Sequence, residues 1–187
     1  AKELAMLAKK LSIKKLGFEE TDLTVAEFQK LKQALRGITL VPTRNRIEKL
    51  RMIKRPDEIA FIKSACKLTD QCFDFILKKL KPGITESEIA WEIESFFRSR
   101  GAGAAFSPIV AFGKNSSQPH YFITQTSSGS DLIKPQGQTL SRQDIALLDF
   151  GARVNGYCSD MTRVVFVGEP TEEWIRAYQT VNQTNQA

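Results

Sequence analysis

The chain has 187 residues, of which 42% are hydrophobic and 26% are charged, with only 11 Gly and 7 Pro. This composition excludes collagen-like, disordered and small disulfide-framework proteins, and no apolar run approaches the ~18 residues of a membrane-spanning helix. The net charge is +6, and residues 1–55 hold 14 Lys and Arg against 6 Asp and Glu. Because these basic residues are interleaved with helix-spaced Leu and Ala and no aromatic platform accompanies them, we expect a solvated helix face or a domain contact rather than a nucleic-acid surface.

The cysteines and the single histidine limit the cellular compartment and the kinds of metal site that this chain can have. The three cysteines form no CxxC pair, and their odd number favours a reducing compartment, which predicts a cytoplasmic protein. His120 is the only histidine of the chain. Any site that needs two histidines from this polypeptide, such as a His-rich zinc centre, is therefore excluded.

The first region, residues 1–53, has the pattern of a small α/β domain. A helix is predicted over 2–11 and a short strand over 16–19. Thr24 and Glu27 form a capping box for a helix over 25–36, which Gly37 closes. The apolar run 38–41 is predicted to be a strand that ends at Pro42.

The second region, residues 54–187, begins with two helices and continues with strands. The first helix is predicted from Pro56 to Lys81, with a buried stripe of Ile59, Ile62, Cys66, Thr69, Phe73, Ile76, Leu77 and Leu80. A second capping box, Thr85 to Glu88, opens a helix that runs to about Arg100. Strands are predicted over 106–113, 144–151 and 156–168, and a last helix follows Thr171. The polar, Gly-containing stretch 124–143 is predicted to be a long loop or flap.

A hairpin in the second region places two aspartates together. Asn155-Gly156 is a strong signal for a two-residue type I′ turn. With that turn Asp149 faces Thr162, so Asp149 and Asp160 share one face, with Cβ atoms a little under about 7–8 Å apart. This separation suits two metal ions about 3.5–4 Å apart. The alternative is that both aspartates point outward and cap turns or pair with Arg153 or Arg163.

His120 follows a predicted strand, in the loop sequence GKNSSQPHYF. Functional side chains are common in such loops, and a histidine here could donate a hydrogen bond or move a proton near neutral pH. The alternative is a histidine of the surface or of the packing, without a chemical role.

Four segments, taken in order, resemble the pita-bread metallopeptidases, a family that includes methionine aminopeptidase, Xaa-Pro aminopeptidase, prolidase and creatinase. These segments are RMIKRPDEIAFIKSA (51–65), LKPGITESEIAWEIESFFRSRGA (80–102), FSPIVAFGKNSSQPHY (106–121) and LLDFGARVNGYCSDMTR (147–163). Residues 1–53 resemble the C-terminal part of the creatinase-type N-terminal domain, which methionine aminopeptidases generally lack. The resemblance therefore favours the Xaa-Pro group and implies an α+β chain with a partial pita-bread fold.

The resemblance also implies a site and a reaction. His120 falls on the substrate-binding histidine, and Asp149 and Asp160 fall on the first two metal ligands. The family binds two divalent ions (manganese, cobalt or zinc) through two Asp, one His and two Glu. The implied reaction is hydrolysis of the bond between an N-terminal residue and proline, by a protein that is a homodimer at full length and has no nucleic-acid or membrane partner.

The chain departs from the family pattern because the metal-binding His and both Glu ligands are expected beyond Ala187. We therefore expect residues 54–187 to be the first half of the catalytic domain, with weak metal affinity and no activity alone. Three alternatives stay open: a prolidase that cleaves Xaa-Pro dipeptides, a creatinase-like homologue that is not a peptidase, and a binding module.

Overall fold

The computed structural model describes residues 2–122 and 137–186. The chain divides into two compact units, Ala1–Arg55 and Pro56–Ala187. The elements of the first unit are α1 (Lys2–Lys10), β1 (Lys15–Glu19), α2 (Val25–Ala34), β2 (Thr39–Thr43) and α3 (Arg46–Met52). β1 and β2 pair in parallel. The capping box of α2 is confirmed, because the Glu27 amide donates to Thr24 Oγ1 at 3.3 Å and the Thr24 amide donates to Glu27 Oε2 at 3.0 Å.

Two features of the first unit differ from the prediction. β2 does not end at Pro42 but continues through it to Thr43, with Pro42 beside Phe18 of β1. The Thr39 amide donates to the Lys14 carbonyl, and alternation along the strand turns the nitrogen of Pro42 away from β1, so no ladder bond is lost. The short helix α3 was not predicted, and its N-cap residue Asn45 makes no side-chain capping bond that would mark its start.

The long helix of the second unit, α4 (Pro56–Leu77), is confirmed, but it is shorter than predicted. The amides of Lys78 and Lys79 bond to carbonyls three residues back, which tightens and ends the helix before Lys81. The predicted buried stripe is partly wrong. Thr69 and Ile76 are buried, but Ile59, Cys66 and Leu77 are exposed, and the remaining buried positions of the helix are Ala65 and Cys72.

The second helix and the strands follow the predicted order. α5 (Glu86–Arg98) opens with the predicted capping box, in which Glu88 bonds to Thr85. One antiparallel sheet has the order β4 (Ile109–Phe112), β5 (Ile145–Phe150), β8 (Met161–Phe166), and the other has the order β3 (Gly103–Ala104), β6 (Ala152–Val154), β7 (Tyr157–Cys158). The last helix is α6 (Glu172–Gln186). The two long strands predicted over 144–151 and 156–168 are thus each divided between the two sheets, at Gly151 and at Ser159-Asp160.

The core of the second unit lies between α4, α5 and the sheets. Its fully buried side chains include Ile76, Ile89, Ile93, Phe97, Phe112 and Phe150. Most of the predicted flap over 124–143 lies outside the described residues. The described part that follows packs against the start of α5, where Thr139 bridges to Thr85 and Leu140 is only 1% exposed.

The three cysteines are free thiols, and Cys66 and Cys158 are exposed whereas Cys72 is buried. Burial raises the pKa of the Cys72 thiol to about 12, so that this thiol is inert as a nucleophile at neutral pH. Within the described ranges, no helix combines the length and the apolar character that a membrane span requires.

Candidate metal centre

The hairpin that carries the two aspartates has the predicted register. Both turn residues have positive φ, 48° at Asn155 and 84° at Gly156, as a type I′ turn requires. Val154 pairs with Tyr157, and Asp149 pairs with Thr162. The side chain of Thr162 therefore stands directly across from that of Asp149.

Asp149 is a half-buried carboxylate near the end of β5. Its Oδ1 atom is buried and has no hydrogen-bond partner in the described structure. Burial raises the pKa of the Asp149 carboxyl above its ordinary value, and the charge of Asp160 raises this pKa further. The side chain of Thr162 and the charge of His120 lower the pKa of Asp149. The other two predicted site residues, Asp160 and His120, are thus close enough to Asp149 to act on its carboxyl electrostatically.

The two neighbours of Asp149 come from different loops. Asp160 is exposed and lies immediately before β8. His120 is exposed and follows a 3-10 turn over Gly113–Ser117, with a left-handed backbone at φ 54°. Positive φ is uncommon outside glycine, although histidine adopts it more often than most residues. The backbone conformation therefore directs where the His120 side chain stands.

A divalent cation fits the surroundings of Asp149. Two like-charged carboxylates repel, and a buried carboxylate oxygen without a donor is unfavourable unless a cation or a hydrogen-bond donor satisfies it. In the described part of the chain, neither aspartate forms an ion pair with Arg153 or Arg163. Within the same residues, no group of three His, Cys, Asp or Glu side chains could hold an ion. Asp149 and Asp160 are therefore two neighbouring carboxylates, and metal binding by them stays a prediction.

A buried pair of hydroxyls holds the strand break beside Asp160. The hydroxyls of Thr69 and Ser159 are 2.7 Å apart, and the Ala152 amide donates to both of them at 3.0 Å. Thr69 belongs to α4, so this network joins the helix to β6 and to the break between β7 and β8. Sequence reasoning missed the role of Ser159. The available signal was a threonine within an apolar helix stripe, which requires a buried polar partner.

A double-mutant cycle tests this hydroxyl pair. Thr69→Val and Ser159→Ala are each expected to lower the free energy of unfolding by about 1–2 kcal/mol, because each leaves buried polar groups with fewer partners. The double variant is expected to lose at least about 0.5 kcal/mol less than the sum, since both changes remove the same bond. Urea unfolding measures all three variants.

The control for this cycle is Ser64→Ala on the same helix. Among the described residues, the Ser64 hydroxyl bonds only to the carbonyl of Ala60 on the exposed face of α4, so its loss should cost less than about 0.5 kcal/mol. Additive losses for Thr69→Val and Ser159→Ala would contradict the shared network.

Sequence reasoning placed Glu86 only in the capping segment of α5 and missed its role in the core. Its carboxylate is fully buried and accepts four hydrogen bonds, two of them from the loop that carries His120. The position of Glu86, next to the capping residue Thr85, predicts an acid that faces the helix dipole in solvent. Only the packing of distant segments against α5 shows that it is enclosed.

Comparison with known proteins gives one family match in each of the two regions of the chain. Residues 60–187 match the family described as metallopeptidase family M24, and residues 1–53 match the creatinase/prolidase N-terminal domain. An uncharacterized peptidase of Bacillus subtilis, YqhT, is 40% identical over 170 residues, which is 90% of this chain and 45% of that protein.

Two solved structures share the fold over nearly the whole chain. The Xaa-Pro dipeptidase from Bacillus anthracis has a TM-score of 0.83 and 37% identity, covering 95% of this chain and 47% of that one. The X-Pro aminopeptidase from Thermotoga maritima has a TM-score of 0.82 and 30% identity, covering 99% of this chain and 49% of that one. The chain therefore spans about half the length of the relatives it matches, with an α+β, partial pita-bread fold. On the match over residues 60–187, this chain belongs to metallopeptidase family M24.

Proposed function

We propose that this chain is part of a metal-dependent peptidase that hydrolyses the bond between an N-terminal residue and proline. The observation that carries the proposal is the buried Oδ1 of Asp149, which lacks a hydrogen-bond donor and lies beside Asp160 and His120. The similarity to solved Xaa-Pro peptidases supports the same substrate class.

Each of the three residues has a separate role in this proposal. Asp149 and Asp160 hold divalent ions (manganese, cobalt or zinc) through their carboxylate oxygens. Such ions, when bound, lower the pKa of water and stabilise negative charge on the scissile carbonyl oxygen. His120, which is exposed beside Asp149, donates a hydrogen bond to the substrate and so orients the peptide.

The proposal also covers the two domains to which the chain belongs and the number of metal ligands that it supplies. Residues 1–53 form the end of a creatinase-type N-terminal domain, and residues 54–187 form the first half of the catalytic domain of a homodimeric protein. This chain supplies two of the five ligands that the family resemblance implies. Two aspartates leave most coordination positions to water, so the chain alone binds metal weakly and is inactive.

A second candidate function is that of a prolidase, which cleaves dipeptides. The similarity to the dipeptidase from Bacillus anthracis favours it, whereas the presence of both Asp149 and Asp160 disfavours a creatinase-like homologue without two metals. Assays of the protein that carries this chain, on a Xaa-Pro dipeptide and on a longer Xaa-Pro peptide, separate the two peptidases. Cleavage of neither substrate, with manganese present, would contradict the proposal.

Manganese binding by the 187-residue chain tests the site itself. Asp160→Asn is expected to weaken Mn²⁺ binding by about tenfold or more, since changes even outside the ligand shell cost that much. Water-proton relaxation measures the bound Mn²⁺. Asp70→Asn is the control, because Asp70 is an exposed carboxylate on α4, and it should leave Mn²⁺ binding unchanged.

Two outcomes would contradict this account. Equal Mn²⁺ affinity in Asp160→Asn and Asp70→Asn would show that Asp160 does not bind the metal. Turnover of a Xaa-Pro peptide by the 187-residue chain, abolished by Asp160→Asn, would show that the ligand set of this chain is sufficient without further residues.

A further inference from the structure

The carboxylate of Glu86 is a fully buried acceptor at the start of α5. Its Oε1 accepts from the Phe112 amide at 2.7 Å and from Asn115 Nδ2 at 2.9 Å. Its Oε2 accepts from the Tyr121 hydroxyl at 2.9 Å and from the Gln138 amide at 2.7 Å. All four partners are donors, which matches an ionised carboxylate, since this group only accepts hydrogen bonds. The N-terminal end of the helix dipole adds favourable charge.

The packing around Glu86 is tight on the side of Gly137. A Cβ atom at Gly137 would lie 2.7 Å from the Cβ and 2.8 Å from the Oε2 of Glu86. The chain at 137–138 therefore passes directly over the carboxylate. Desolvation and the Glu86 carboxylate together raise the pKa of Tyr121 to about 12, so its hydroxyl keeps its proton and remains a donor at neutral pH.

Two of the four bonds, those from Asn115 and Tyr121, come from the loop that carries His120. Asn115 lies in the 3-10 turn before His120, and Tyr121 is the next residue along the chain. Asn115 Nδ2 also donates to the Tyr121 hydroxyl at 3.0 Å, so the two loop residues and Glu86 close a ring of hydrogen bonds. Among the described residues the His120 ring has no hydrogen-bond partner of its own, so its position depends on the backbone that these bonds hold.

We propose that Glu86 is a positioning residue that, through Tyr121 and Asn115, sets where the His120 ring stands beside Asp149. The relevance of this position to catalysis rests on the proposed function, in which His120 contacts the substrate. The position of the ring does not rest on the proposed function, because it is a property of the metal-free and substrate-free chain.

Because the chain has a single histidine, NMR of its ring tests the proposal without any assay of enzymatic activity. The His120 ring resonances are recorded with a chelator at one fixed pH, and amide hydrogen exchange is followed at Phe112 and Gln138, whose amides donate to Glu86. Glu86→Gln and Tyr121→Phe are both expected to move or broaden the ring resonances. Exchange at these two amides should accelerate by about tenfold or more, while exchange within β5 and β8 changes less than about twofold.

Two variants keep the test decisive. Glu86→Gln places an amide donor among other donors and so carries a risk of misfolding. If that variant fails to fold, Tyr121→Phe tests the proposal by itself, because it removes only a hydroxyl. Glu88→Gln is the matched control: it lies in the same helical turn, is exposed, and can keep its capping box because Gln also serves at that position. It should leave the His120 resonances unchanged.

The proposal is overturned if the His120 resonances of Tyr121→Phe match those of the unaltered chain. It is equally overturned if exchange accelerates uniformly through β5 and β8, since Glu86 would then stabilise the whole unit rather than the loop. Neither outcome depends on metal binding or on hydrolysis of a Xaa-Pro peptide, so failure of the proposed function is recognised separately.

Discussion

Gly151→Ala is expected to destabilise the second unit by about 3 kcal/mol or more, because the added methyl group would overlap main-chain atoms that cannot move aside. A Cβ at this position would meet the Ser159 carbonyl oxygen, and the Ser159 carbonyl carbon lies 2.7 Å from it. The Asp160 Cα is 3.3 Å away. The two strands thus approach each other closely at the point where they pass from one sheet to the other.

The consequence of this substitution reaches the candidate metal centre. Gly151 lies two residues after Asp149 and packs against the peptide that leads into Asp160. Separating the strands here therefore increases the distance between the two aspartates. We expect Gly151→Ala to lose Mn²⁺ binding under conditions in which the variant remains folded.

Gly156→Ala is the control for Gly151→Ala. Gly156 lies in the turn of the same hairpin, where no atom lies within 4 Å of an added Cβ but φ is +84°. The expected cost is about 1 kcal/mol, from backbone strain alone. Urea unfolding measures both variants, and a loss for Gly151→Ala no larger than that for Gly156→Ala would contradict the close approach.

Asp149→Asn is expected to have opposite effects on metal binding and on stability. Mn²⁺ affinity should fall by about 100-fold or more, the upper end of what changes outside the ligand shell cost. The metal-free chain should become more stable at neutral pH, with a melting temperature higher by roughly 1 to 3 °C. The amide keeps an acceptor oxygen for Thr162 but carries no charge to desolvate or to repel Asp160.

The pH dependence of this stability difference has a definite sign. Burial raises the pKa of Asp149 in the folded chain, so the folded chain binds this proton more tightly than the unfolded chain. The stability of the unaltered chain therefore falls as the pH rises from about 3.9 through the raised pKa of the folded state. The advantage of Asp149→Asn should be complete above that pKa and absent below about pH 4.

Thermal melts of the two metal-free chains across this pH range check the prediction. Asp70→Asn serves again as the control, since Asp70 is exposed and its pH profile should follow that of the unaltered chain. A lower melting temperature for Asp149→Asn at neutral pH would show that its carboxylate is satisfied without a metal. That result would remove the main support for the metal centre.

Local signals in the sequence predicted much of the secondary structure. The capping boxes at Thr24 and Thr85 and the turn at Asn155-Gly156 depend on hydrogen bonds or dihedral angles within a few residues, so their patterns are visible in the chain. From the turn, the alternation of side chains predicts the pairing of Asp149 with Thr162. The buried stripe of α4 was only partly predicted, because the face that a helix buries depends on what packs against it.

Local patterns in the sequence predicted the hairpin register, the starts of α2, α4 and α5, and the resemblance that singled out His120, Asp149 and Asp160. Metal binding by Asp149 and Asp160 and substrate contact by His120 stay predictions. Three contacts became visible only in the folded chain: His120 acts on Asp149, Thr69 meets Ser159 across 90 positions of chain, and Glu86 is enclosed by residues 26 to 52 positions away. A buried polar group is stabilised by partners that folding brings from distant segments, and no local pattern specifies those partners.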